Sequence, residues 1–546
     1  MKKYARLLLS LFVCILVMGV SYFWATGLMD SVFTYRSPLH NSPPTPGQPL
    51  GSPNTQMVVI VLIDALRYDT SQKAQVMPFL NELRASGASA LMHSRPPSYS
   101  EPSYAVLLTG AWPDLSDGPA INVDYAEIPT FTQDDIFSAA HRAGLQTAVS
   151  GYNWFEKLIP QDAVSASFYT AGEDQVADRQ VVDAALPWLR SEGYQLVLIH
   201  IDQVDYAGHH EGGPVDPRWD EAATRADNLL HEIVSLMDLS KDTLLIISDH
   251  GQIDRGGHGG QDAVTLLEPF VLVGNDVIPG EYADVQMVDV APTVAVLLGT
   301  NIPATNEGHP RTEMLTLTPN QLGSISNALS AQQSQLANAY QTAIGHQVSV
   351  SQNTDVVTAT QTAIDAARQA RLIAERIPRA ILGVILVILL SLMFILLVKR
   401  DFLLLLGGAV IYLLIFNIKY ALLDHKTYSL SSVETSTSLI IYCALTTLIA
   451  LVISWLVFML SKNAFRFKSR LAAEAALTFI LTTIYILYLP VMLHYVINGA
   501  TVTWALPNFA ISFIGLLFLI QALMVAAIGL LLTGISALIS VFTHKK

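Results

Sequence analysis

The sequence predicts an α/β domain, with a mostly parallel sheet and helices on both faces, joined to an α-helical multi-span membrane domain. Three near-continuous Val/Ile/Leu runs, MVVIVLID, LVLIHIDQVD and TLLIISDHG, alternate with amphipathic stretches such as Asp134–Ala143 and Arg218–Leu236. Such runs mark parallel strands buried on both faces. Long apolar segments fill the last third of the chain. Of the 546 residues 51% are hydrophobic and only 14% charged, against roughly 25% charged in soluble domains, and the charges concentrate between residues 29 and 378.

The elements follow in order. Residues 1–28 read as a short cytoplasmic N-terminus and an anchor helix. An apolar run from Leu7 to Leu28 follows Lys2, Lys3 and Arg6, and the sequence SYFWATG after Val20 offers no small-x-small cleavage site. Residues 29–56 are rich in Pro, Ser and Gly and read as a linker. Residues 57–316 hold the α/β domain. Residues 317–378, rich in Gln, Ala and Ser, read as a helical stalk with a break near Gly345. Residues 379–546 form a membrane domain with five spans, at 380–398, 402–422, 436–460, 472–493 and 508–541. Lys399 and Arg400, the group Lys462, Arg466, Lys468 and Arg470, and the final Lys545 and Lys546 make alternate connections basic. The positive-inside rule then places residues 29–378 outside the cytoplasmic membrane and both termini inside. Asn417, Lys419, Glu474 and His494 lie in or beside spans, where they either snorkel and cap helix ends or line a lipid-headgroup path.

A formal net charge of −14 argues against a nucleic-acid partner. The 2 cysteines, Cys14 and Cys443, both lie in apolar runs. The polar region therefore holds no disulfide framework, zinc ribbon or cysteine nucleophile.

In open α/β sheets ligands bind beyond the carboxyl ends of the strands. Those ends supply Asp64, then Asp205 with His209 in D-x-x-G-H, then Asp249 and His250 in SDHG, with His258 eight residues further on in GGHGG. Aspartate and neutral histidine are ligands for zinc and similar metals, and six of them suffice for two sites. Each has a structural alternative: Asp64 as a helix N-cap, Asp205 and His209 in a turn around Gly208, Asp249 as a cap. A two-cation clamp needs a nucleophile, and SRPPSYSEPSYAVLLTGAWPD offers Ser98, Ser100 and Ser103; spacing alone does not choose among them.

Together these residues resemble the alkaline phosphatase superfamily, in its phosphodiesterase branch with the nucleotide pyrophosphatase/phosphodiesterases and the GPI ethanolamine phosphate transferases. The resemblance covers about residues 57–310. It rests on DALRYD, TG-x-x-P-D at Thr109–Asp114, GYNWFEKLIP, VDYAGHHEG, SDHG with GGHGG, and VDVAPTVAVLLGTNIPATNEG at Val288–Gly308. It implies an alkaline-phosphatase-like fold and two divalent metal ions, zinc or alternatively manganese. One would be held by Asp205, His209 and His258, the other by Asp64, Asp249, His250 and the nucleophile. Pro102 and Thr109 stand where the family pattern sets them relative to the nucleophile and point to Ser100; the oxyanion-contacting position falls on Ser103. The segment Ser100-Glu-Pro-Ser-Tyr lacks the arginine of the sulfatase maturation motif, which argues against sulfate-ester chemistry. The implied activity is a metal-dependent phosphotransferase or phosphodiesterase, acting on a phosphodiester or phospholipid outside the cytoplasmic membrane and moving a phosphoethanolamine-like group. Hydrolysis of soluble phosphodiesters or nucleotides is the alternative, and a non-catalytic membrane protein retaining the fold a third.

Overall fold

The computed structural model describes residues 4–191, 193–351, 355–398 and 401–543. Lys2, Lys3, Lys399, Arg400, Lys545 and Lys546, which carry part of the orientation argument, lie outside the described residues. Contacts divide the chain into two compact units. The larger comprises Phe33–Leu372 with Thr503–Leu506; the other comprises Met1–Val32, Ile373–Val502 and Pro507–Lys546.

The larger unit is built on one sheet. Its strands are β1 (Val58–Ile63), β2 (Ala88–His93), β3 (Thr147–Tyr152), β4 (Ala166–Thr170), β5 (Leu196–Ile201), β6 (Thr243–Ile247), β7 (Leu267–Gly274), β8 (Gly280–Glu281) and β9 (Val285–Gln286). The order is β4-β3-β5-β1-β6-β7-β2-β8, with β9 also on β2. Only β7 runs antiparallel to its neighbours β6 and β2, so the sheet is mostly parallel, and the three apolar runs are the adjacent central strands β5, β1 and β6. Their side chains alternate between two cores. Val58, Ile60 and Leu62 pack on one face, while Val59, Val61 and Ile63 pack on the other. A one-residue slip would exchange the two sets, so the register is tightly specified.

That register positions the site. Ile63 pairs with Ile201, and Leu62 with Ile247. Asp64, Asp202 and Asp249 therefore leave three neighbouring strands side by side at one edge. The amphipathic stretches form helices Ile136–Arg142 and Pro217–Val234, each started by an aspartate: the Asp135 carboxylate accepts the Phe137 and Ser138 amides, and the Asp216 carboxylate accepts the Arg218 amide. The stalk sequence is helical from Pro319 to Ile344 and stops at Gly345, whose φ of 66° provides a left-handed C-cap. A second helix, Val356–Val398, follows.

Among the described residues, five helices are long and apolar enough to cross a membrane: Ala5–Phe33, Phe402–Leu423, Ser436–Ser461, Ser469–Asn498 and Phe509–Thr543. The last, expected as one span at 508–541, is one continuous helix. The run expected as a span at 380–398 is the C-terminal part of the Val356–Val398 helix.

Candidate active site

Beyond β1 the chain turns sharply, because Ala65 adopts φ 59°, and no helix begins until Tyr68. Asp64 is therefore not an N-cap. Its neighbour across the sheet is held in place by the same turn, since the Ala65 amide donates to Asp249 Oδ1 at 3.1 Å. Asp205 and His209 sit on the Gln203–His210 helix, not in a turn, and the i,i+4 spacing puts them on one face. Gly208 in that helix is obligatory: a Cβ there would lie 2.0 Å from Gln252 Oε1. Gln252 in turn donates to Asp205 Oδ1 at 2.5 Å.

All the ligand candidates converge. Asp64, Asp249 and His250 present ligand atoms within 4.8 Å of one another, and so do Asp205, His250 and His258. His250 thus stands between the two groups. His209 Nε2 is 3.0 Å from His258 Nε2 and 3.4 Å from Asp205 Oδ2. The His250 Nδ1–H donates to the Gly251 carbonyl at 3.1 Å, and the His258 Nδ1–H to the Ser98 carbonyl at 3.0 Å. Each ring therefore turns its Nε2 lone pair into the cluster, as a metal ligand needs.

Ser100 opens the Ser100–Thr109 helix and is buried, with Oγ 3.1 Å from His250 Nε2. Ser98 is committed elsewhere. Its hydroxyl donates to the Gly260 carbonyl at 3.0 Å and accepts the Gly259 amide at 3.0 Å, tying down the GGHGG loop. Ser103 is buried one turn further along the helix. Of the three serine hydroxyls, that of Ser100 is the one within hydrogen-bond distance of the cluster among the described residues.

The electrostatics are those of cation ligands crowded without countercharge. Burial, with Asp249 close by, pushes the Asp64 carboxyl up to about 6. Burial likewise pushes Asp249 up to about 7. Burial also opposes ionisation of Asp205, but His209, His258 and His250 outweigh it and hold the group down at about 2. Burial and His250 hold His258 well below the usual imidazole range. Asp64 Oδ1 and Asp249 Oδ2 are buried without a hydrogen bond, which is costly in an apolar interior. Convergent imidazole lone pairs beside orphaned carboxylate oxygens fit a divalent cation pair.

Four further residues belong to the site. The Tyr104 hydroxyl donates to Asp64 Oδ2, and His200 Nε2 lies 2.9 Å from the same oxygen and 3.0 Å from the Tyr104 hydroxyl. Gln252 orients Asp205, and Asp202 groups with Asp64 and His200. Tyr104 was discoverable, being four residues after Ser100 on the same helix face. His200 is the lone imidazole inside an apolar strand. Asp202 is masked by the stronger D-x-x-G-H signal of Asp205, and Gln252 has no signal in the sequence.

Residues 58–115 and 123–313 match the type I phosphodiesterase / nucleotide pyrophosphatase family. Every ligand candidate and Ser100 lie inside the matched segment. Human GPI ethanolamine phosphate transferase 2, catalytic subunit, is 29% identical over 279 residues, covering 47% of this chain and 28% of that protein. The mouse GPI ethanolamine phosphate transferase 3, catalytic subunit, is 26% identical over 357 residues, covering 58% and 32%. The chain thus spans under a third of the length of these two relatives. Among solved structures, human ectonucleotide pyrophosphatase / phosphodiesterase 5 is 14% identical with a TM-score of 0.39, covering 48% of this chain and 100% of that one. A protein in the alkaline phosphatase superfamily from Vibrio parahaemolyticus is 14% identical with a TM-score of 0.37, covering 50% and 73%.

Proposed function

We propose that the chain is a membrane-bound phosphotransferase that moves a phosphoethanolamine-like group from a phospholipid to an acceptor hydroxyl outside the cytoplasmic membrane. The observation that carries this is the Ser100 hydroxyl held 3.1 Å from His250 Nε2, at the rim of converging acids and imidazoles in a segment that matches a phosphodiesterase family. The relatives named as ethanolamine phosphate transferases supply the transferred group. The apolar helices and the basic 462–470 connection support the membrane setting and its orientation.

Asp205, His209 and His258 would hold one divalent cation, and Asp64, Asp249, His250 and Ser100 the other, zinc being the proposed metal and manganese its alternative. Bound cations would lower the pKa of the serine hydroxyl and offset charge on the phosphoryl oxygens. The chain does the rest. Ser100 Oγ attacks phosphorus, a P–O bond forms to serine, and the bond to the lipid's alcohol oxygen breaks as that alcohol leaves with a proton. The acceptor hydroxyl then attacks the phosphoserine diester, its proton passing to the departing Ser100 oxygen. Placing Ser100 at the first position of a ten-residue helix sets the positive end of the helix dipole beside the phosphoryl group. With water as acceptor the same steps hydrolyse a soluble phosphodiester, the reading that the family's pyrophosphatase members favour.

The test uses the full chain with headgroup-labelled phosphatidylethanolamine. A phosphoethanolamine adduct on the Ser100 peptide, absent in Ser100→Ala, is expected by mass spectrometry. Turnover of a nitrophenyl phosphodiester with no headgroup transfer would select the hydrolase, and neither activity would overturn both.

A further inference from the structure

The row of strand ends continues past the phosphoryl cluster. In sheet order, Glu173 follows β4, Tyr152 ends β3, Asp202 follows β5 and Asp64 follows β1. Asp202 is only 7% exposed, yet its carboxylate has no hydrogen-bond or ion-pair partner among the described residues. The Asp202 backbone is held by its amide, which donates to Asp178 Oδ1 at 2.8 Å. Its charged neighbours are of one sign: Asp64, Asp205, Asp178 and Glu173 all repel it. Beside it the Tyr152 hydroxyl donates to Glu173 Oε1 at 2.8 Å, and the Tyr152 ring packs edge-on against Trp154 at 4.9 Å. These three side chains are half-exposed. The result is a carboxylate on a largely buried residue, without a partner among the described residues, backed by a second carboxylate and two aromatic rings.

We propose that Asp202, with Glu173 and Tyr152 behind it, is the subsite that recognises the primary ammonium of the transferred group. This rests on the phosphotransferase reading above and deepens it. Adjacent strands lie about 4.8 Å apart, so Asp202 stands one strand from Asp64, a separation a two-carbon spacer between phosphate oxygen and amine can bridge. A primary ammonium donates up to three hydrogen bonds, matching a carboxylate without a protein partner, and an aromatic rim favours a cation further. A trimethylammonium donates none and would leave Asp202 unsatisfied. The proposal divides the roles: metal cations belong to the Asp/His cluster, and the organic cation to its neighbour.

Two soluble donors, nitrophenyl phosphoethanolamine and nitrophenyl ethyl phosphate, which share the phosphodiester anion and differ in the terminal ammonium, read this directly with the full chain in detergent. The wild type should prefer the ammonium-bearing donor about tenfold or more in kcat/KM, the size expected of a charge-assisted hydrogen bond. That preference should collapse in Asp202→Asn and weaken in Glu173→Gln, with bound metal per chain unchanged. Equal turnover of both donors by the wild type would overturn the subsite and leave the phosphotransferase reading standing. Loss of metal in Asp202→Asn, or an equal loss on both donors, would instead make Asp202 a third-cation ligand and overturn the assignment. If the wild type turns over neither donor, the phosphotransferase reading fails and the subsite with it.

Discussion

Removing the Ser100 hydroxyl takes away the attacking atom but leaves each proposed cation its Asp and His ligands. Ser100→Ala should therefore lower turnover by about 10⁴-fold or more while the protein retains its cations, measured by steady-state rate and metal analysis. Retained activity would return the nucleophile to Ser98 or Ser103. Tyr104 acts differently. It touches no substrate, but its hydroxyl donates to Asp64 Oδ2 and, with His200, turns the opposite oxygen of Asp64 into the cluster. Tyr104→Phe should weaken cation binding about 10–100-fold, read by competition with a chelator; unchanged affinity would reduce Tyr104 to a packing residue. The contrast shows which part of the site is legible in sequence. Ligands announce themselves because Asp and His at strand ends are chemically conspicuous. Orienting residues do not, because a tyrosine in a helix and a glutamine in a loop acquire their role only from partners 40 and 47 positions away.

Single elements carry the same site through their packing. The Gln203–His210 helix approaches the 251–258 loop so closely that Gly208 faces Gln252. Gly208→Ala must push Gln252 off Asp205, costing about 1–3 kcal/mol and loosening cation binding at Asp205, checked by Tm with and without added zinc. At the other end of the Ser100–Thr109 helix, Glu307 accepts the Trp112 amide at 2.8 Å, and its own amide donates to the Gly110 carbonyl at 2.7 Å. Burial pushes the Glu307 carboxyl from an ordinary 4.5 up to about 7, Arg95 pulling it down and Asp365 up. A carboxyl raised on folding binds its proton more tightly in the folded state, so its contribution is fully present below the unfolded value and is lost as pH rises through about 7. The loss is about 3 kcal/mol, and Glu307→Gln should flatten the fall in Tm between about pH 5 and 7.5. A pH dependence unchanged in that variant would show that Glu307 is not its source. The strands and the break at Gly345 were readable because apolar runs and a lone glycine are local signals. The level alignment of Asp64, Asp202 and Asp249 was not, since it follows from inter-strand register, which no local window contains.

At the scale of the molecule the two units should respond separately to removal of the proposed cations. Every Asp and His of the cluster lies in the unit Phe33–Leu372, and none in the unit that holds the apolar helices. A ligand bound only by the folded state stabilises it by about 2.7 kcal/mol at a hundredfold excess over its Kd. Stripping two such ions also leaves Asp64 and Asp249 crowded at one sheet edge without the positive charge that offsets their repulsion. For a unit of this size each kcal/mol is worth about 2–4 °C, so excess chelator should lower its transition by about 5–15 °C. The apolar-helix unit, stabilised by packing among its own helices, should unfold at an unchanged temperature. Scanning calorimetry of the full chain in detergent, with chelator and then with zinc restored, separates the outcomes. A single shifted transition, recovered on adding zinc, is expected. Chelator that moves neither transition would mean that the converging acids and imidazoles hold no ion, and the proposed chemistry at Ser100 would lose its basis.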